Sequence, residues 1–145
     1  MEIGLVSCTK SKRDQPRQPA DLYMESVFFR KAREYAETNH DQWFILSAKY
    51  HLLDPYGPPI APYDDTLSGA PVNRKREWAA TVYEQLQEEG ILTEGNRLVF
   101  HAGRDYYTEL LPLLDETGVG IELPTDGLRY GETLAGVPDD PIGKQ

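Results

Sequence analysis

The chain alternates between strand-like and helix-like hydrophobic patterns. Glu2 to Val6 is a short β-branched and aliphatic run and predicts a first strand. Residues 9–20 are polar, hold Pro16 and Pro19, and predict a loop. Tyr23, Val27, Phe28, Tyr35 and Ala36 lie near helical spacing; with Asp21 as N-cap they predict a helix over 22–38. Gln42 to Leu46 predicts a second strand. Residues 54–72 carry Pro55, Pro58, Pro59, Pro62 and Pro71 with Gly57 and Gly69, which predicts a long loop of the kind that serves function in a small domain. Asn73 to Glu89 predicts a helix with Trp78, Ala79, Val82 and Leu86 on one face. Arg97 to Phe100 predicts a third strand, Asp105 to Glu116 a third helix kinked or broken at Pro112, and Val119 to Leu123 a fourth strand. This order predicts a three-layer α/β/α domain over residues 1–134. Its four-stranded sheet is mostly parallel, in the order 2-1-3-4, with right-handed crossovers. Residues 135–145, polar with Pro138 and Pro141, read as a flexible tail.

Composition narrows the class. A chain of 145 residues makes one domain, and nine Tyr, four Phe and two Trp supply the bulk of a real core. A formal net charge of -9 excludes a globally basic nucleic-acid binder and leaves only a local basic patch. A single Cys excludes a disulfide framework and a Cys-based zinc site. The acidic second residue and short apolar run argue against a signal peptide, and no apolar stretch reaches the ~20 residues of a membrane span. A soluble cytoplasmic domain with no membrane partner is expected. The 24 acidic residues against six Lys and nine Arg also match a salt-adapted, halophilic surface.

Candidate chemistry follows from position. Ligands of open α/β sheets bind beyond the carboxyl ends of the strands, and each predicted strand here ends in a polar cluster. The first cluster runs Ser7-Cys8-Thr9-Lys10-Ser11-Lys12. Its small residues free backbone N–H groups, and Lys10 and Lys12 add charge for an anion. Walker spacing is absent. Cys8 reads as a nucleophile if those lysines activate it, and otherwise as a small buried hydrophobe. In the second, Lys49 reads as an anion-holding cation or an amine nucleophile, with Tyr50 and His51 beside it. In the long loop, Tyr63 precedes Asp64 and Asp65, either of which could be a base or a ribose anchor. The third cluster offers His101, Gly103, Arg104 and Tyr106, where Gly permits close backbone approach at a helix start. The fourth offers Gly127. His40, His51 and His101 show no metal-ligand spacing, so neither a metal nor another cofactor is expected. Arg74-Lys75-Arg76 opens the second helix, where the dipole disfavours cations, and hints at an anionic partner.

These blocks resemble an uncharacterised bacterial and archaeal family, DUF6884. The opening Val6-Ser7-Cys8-Thr9-Lys10-Ser11-Lys12 is similar to its start, as are Pro19-Ala20, Leu22-Tyr23, Ser26 and Phe28. Ile45 to Leu53, followed by Pro62-Tyr63-Asp64 and Thr66-Leu67, is the most specific block. Ala102-Gly103, Tyr106-Tyr107, Pro124, Gly127 and Gly131 complete a resemblance over residues 3–134. Where the family usually has Gly this chain has His51, and Arg129 and Tyr130 stand where smaller residues are expected. More distantly, the second block is similar to YaaA-like peroxide-stress proteins, which are associated with DNA binding, and the opening to the archaeosine synthase core domain, which handles a modified base in tRNA. Related architecture occurs in uracil-DNA-glycosylase-like folds. Together, resemblance and strand-end chemistry point to an enzyme, a hydrolase or transferase, acting on a nucleotide, a nucleobase or a modified base in nucleic acid. The competing readings are a non-catalytic DNA- or RNA-binding stress module and a small-molecule sensor. The sequence leaves the oligomeric state open.

Overall fold

The structure is a computed structural model and describes residues 1–9 and 14–123. The elements follow in the order β1 (Glu2–Ser7), α1 (Pro19–Leu22), α2 (Val27–Asn39), β2 (Gln42–Ser47), β3 (His51–Leu53), α3 (Val72–Glu88), β4 (Arg97–His101), α4 (Arg104–Tyr107), α5 (Leu111–Leu114) and β5 (Gly120–Glu122). They build an α/β domain on one mixed, mostly parallel sheet of five strands, in the order β3-β2-β1-β4-β5. Five strands replace the expected four; the predicted ones keep their relative order as β2-β1-β4-β5, and the sheet gains an outer member. His51–Leu53 folds back antiparallel on β2, pairing Ser47 with His51 and Ile45 with Leu53, and becomes an edge strand. Three residues are too few for period-two alternation to reveal them.

β1 is the centre. It runs parallel to β2, with Ile3 opposite Gln42, and parallel to β4, with Ile3 opposite Leu98. Ile3 to Ser7 and Trp43 to Ser47 are all buried, so both sheet faces are covered. The chain steps from β1 to β2 on one side, then returns past β1 to β4 on the other. With right-handed crossovers this reversal places α2 and α3 on opposite faces. It also makes the β1/β4 boundary the topological switch point. α2 seats Phe29 against Trp43 and Tyr35 against His101. α3 buries Trp78, Ala79, Val82 and Leu86, the predicted stripe.

Two helices end differently from expectation. The segment 22–38 is not one helix capped by Asp21. Pro19 starts a four-residue α1 that ends at Leu22, and α2 begins at Val27. Ser26 caps it by accepting the Phe29 N–H at 3.1 Å. Asp21 instead pairs with Arg33 at 3.1 Å. The predicted helix over Asp105–Glu116 is broken ahead of Pro112: α4 ends at Tyr107, and Pro112 sits in the first turn of α5, where it needs no N–H partner. No helix among the described residues is long and apolar enough to cross a membrane. The proposed tail, 135–145, lies outside the described residues.

Candidate functional site

The carboxyl ends of β1 and β2 and the β4–α4 turn meet in a buried polar cluster. Cys8 continues the β1–β2 ladder, its N–H donating to Leu46 O at 2.9 Å. This places its sulfur under the β2–β3 turn, where Ala48 N–H donates to Sγ at 3.4 Å. The Tyr106 hydroxyl, from α4 across the switch point, lies 3.3 Å from the same sulfur. Trp78 of α3 meets Tyr106 edge-on, with ring centroids 5.6 Å apart, and donates its indole N–H to Ser47 O at 2.8 Å. The turn and α4 thus hold the Cys8 sulfur directly, and α3 braces both.

Ser47 organises the second half of the cluster. Its Oγ accepts the N–H groups of Lys49 at 3.2 Å and Tyr50 at 2.9 Å, closing the turn. With both lone pairs taken, its own O–H donates to the Tyr63 hydroxyl at 2.7 Å. Tyr63 in turn lies 2.5 Å from the Tyr23 hydroxyl. Burial raises the pKa of Tyr23, Tyr63 and Tyr106 far above the phenol range, so all three stay neutral hydrogen-bonding groups at physiological pH. Ser47→Ala removes three hydrogen bonds from a site with no solvent access. We expect a loss of about 1–3 kcal/mol, read as a lower urea midpoint at unchanged slope.

Lys49, Tyr50 and His51 form the rim. Lys49 is exposed, its Nζ 5.5 Å from the Tyr50 ring centroid, and Tyr50 stands edge-on over Tyr63 at 5.5 Å. His51 closes the turn at φ 67°, the one left-handed non-Gly residue among those described. A left-handed backbone suits Gly, so the His side chain carries a steric cost. Burial, then the nearby Arg74, lowers the His51 pKa. His51→Gly is expected to gain about 0.5–1 kcal/mol, seen as a higher melting temperature; a loss would place a stabilising contact on the imidazole.

The remaining candidates separate. Ser7 is buried at the end of β1, Thr9 is half-buried, and Asp64 is exposed on the loop. Asp65 lies 3.9 Å from Arg74. Gly103 has φ -79°, and a Cβ built there meets nothing within 4 Å, so neither backbone nor packing demands glycine. The helix it starts has four residues, too few for a useful dipole. Arg104 is exposed at its first position. His101 turns away from the rim, under α2, toward His40. Lys10, Lys12 and Gly127 lie outside the described residues, as do Arg129 and Tyr130. The basic run opening α3 is answered internally: Lys75 pairs with Asp105 at 2.6 Å, Arg76 with Glu109 at 3.1 Å, and Arg74 donates to Ala48 O at 3.3 Å. These pairs tie α3 to α4 and the turn, and explain the cations without an external anion. No group of His, Cys, Asp and Glu among the described residues could hold a metal ion. Sequence reasoning missed Tyr23 and the organising role of Ser47. Tyr23 looks like one more apolar position of a helix face, and Ser47 like turn material.

No curated protein and no solved structure matches the chain. One family model, described as a family of unknown function (DUF6884), matches residues 3–137. That match takes in β1, both halves of the carboxyl-edge cluster and the β2–β3 turn, so the chain belongs to the DUF6884 family.

Proposed function

We propose that the carboxyl edge is an enzyme site for a nucleotide, a nucleobase or a modified base in nucleic acid. The observation that supports it is convergence at the switch point. Buried hydroxyls and the Cys8 sulfur form the floor, and exposed cations stand on the rim. Lys49 and Arg104 are exposed and have no carboxylate partner among the described residues. In this reading they take phosphate or another anion, joined by Lys10 and Lys12. Tyr50, half-buried over Tyr63, offers a face for stacking on a base. Asp64 serves as base or ribose anchor, and Lys49 or Cys8 as nucleophile in a hydrolase or transferase reaction.

The test is incubation with nucleosides, nucleotides, DNA and tRNA, with products read by mass spectrometry beside Lys49→Ala. A released or modified base that disappears in the variant is the expected result. No product from either protein, together with nucleic-acid affinity that falls steeply with salt, would replace the enzyme reading with simple binding.

A further inference from the structure

Residues 61–70 lie over the carboxyl-edge cluster and hold it shut. The segment has neither helix nor strand. Among the described residues, its backbone makes no backbone hydrogen bond to the rest of the chain; Ala70 N–H donates to Leu67 O, within the segment, at 3.0 Å. The near end is pinned, because Ile60 exchanges two hydrogen bonds with Arg17, at 3.1 and 2.9 Å. The far end runs into Pro71, the N-cap of α3. Beside that end Gly69 turns at φ 75° in open space, with nothing within 4 Å of a Cβ built on it. Between the two ends only Tyr63 and Leu67 are buried. Tyr63 accepts the Ser47 O–H at 2.7 Å, and its hydroxyl meets that of Tyr23 at 2.5 Å. The Leu67 backbone and the Thr66 side chain lie against the Tyr106 hydroxyl, the group 3.3 Å from Cys8 Sγ. Ala61, Asp64, Asp65, Ser68 and Gly69 are exposed. A segment held by a few inward side chains, with its backbone outside every ladder, opens locally while the sheet stays formed.

We propose that residues 61–70 form a flap, hinged at Ile60 and Gly69, that swings off the carboxyl edge to admit substrate to Cys8 and Ser47; its role as a substrate gate rests on the enzyme reading given above. The structure is the closed form. Cys8 is 7% exposed and Ser47 0%, so neither is open to a substrate in it. Withdrawing Tyr63 frees the Ser47 hydroxyl. Withdrawing Thr66 and Leu67 uncovers the Tyr106 hydroxyl beside the Cys8 sulfur. The frame beneath does not depend on the flap. Ser47 Oγ still holds the Lys49 and Tyr50 N–H groups, and Cys8 keeps its ladder bond to Leu46 O and its contact with Ala48 N–H. Opening thus exposes a sulfur and two hydroxyls on a rigid floor, with Lys49 on the rim above them. Closing expels water from the same space.

Cys8 is the one cysteine of the chain, so alkylation by iodoacetamide, read as the mass of the intact full chain, reports opening at a single site. Labelling of the folded protein should run roughly 100- to 10,000-fold slower than labelling of the urea-unfolded chain. Well below the unfolding transition its rate should be nearly independent of urea, because lifting a flap exposes little surface. Leu67→Ala removes one inward side chain and should speed labelling roughly 10- to 100-fold. Tyr63→Phe, which takes away the acceptor of the Ser47 O–H, should speed it roughly 5-fold. A wild-type rate that climbs with urea along the global unfolding slope overturns the flap, since Cys8 is then reached only through the unfolded chain. Folded variants that label at the wild-type rate overturn it as well. If Leu67→Ala fails to fold, the urea dependence of the wild type and the Tyr63→Phe rate decide. Urea-independent labelling with no turnover of nucleosides, nucleotides, DNA or tRNA defeats the enzyme reading and leaves the flap standing. Turnover alongside labelling that follows global unfolding keeps the enzyme and removes the flap.

Discussion

Gly4→Ala is expected to destabilise the fold by about 3–5 kcal/mol, through overpacking and broken buried hydrogen bonds. Gly4 lies in the middle of β1, and a Cβ there would stand 2.4 Å from His40 Cδ2. The imidazole cannot step aside cheaply. Its side chain is only 1% exposed, and both nitrogens are held, one by Glu2 and one by His101. A methyl group therefore either pushes α2 off the sheet or strands two buried polar groups. Domains of this kind have a total stability of about 5–15 kcal/mol, so the variant should be marginal. Urea denaturation of Gly4→Ala, His40→Ala and the double variant closes a cycle. With His40 gone the methyl has room, and the added cost of Gly4→Ala should fall below about 1 kcal/mol. An equally large cost in both backgrounds would show that the clash is not with His40.

Acid should remove stability through His101. Its pKa is about 3 in the fold against an ordinary 6.5. Between those values the unfolded chain binds a proton that the folded chain refuses. The contribution is therefore complete above about pH 6.5 and is lost as pH falls toward 3. The loss between pH 7 and pH 4 is on the order of 3 kcal/mol. His101→Gln keeps a hydrogen-bonding amide for His40 but cannot titrate. Carboxylates such as Glu2 contribute acid sensitivity to both proteins, so the difference in their pH slopes isolates His101. Identical slopes would mean that the buried imidazole titrates at its ordinary pH.

Legibility follows the range of the interaction. The α3 stripe is readable because Trp78, Ala79, Val82 and Leu86 repeat at helical spacing on one element. The carboxyl-edge cluster is readable because parallel strands all end on the same side. Which of its residues point inward is not. Tyr63 and Asp64 are neighbours, yet one is buried on Ser47 and the other faces solvent. The break between α1 and α2 escapes the sequence because Asp21 and Ser26 are equally good caps locally, and only tertiary packing chooses. The pair of His40 and His101 is 61 residues apart, beyond any periodicity. Its local trace is Gly4, a glycine inside an aliphatic strand, the usual mark of a close approach.

Because β1 is the middle strand, the ribosome delivers the centre of this sheet before either neighbour. β2 can join once Ser47 has left the exit tunnel, but the other edge of β1 stays open until Arg97 to His101 has been made. Parallel pairing across such distances is slow, and it leaves an aliphatic strand edge unprotected during elongation. A nascent chain stalled between β2 and β4 would present that edge to chaperones and to other nascent chains, and the sheet closes only late in translation.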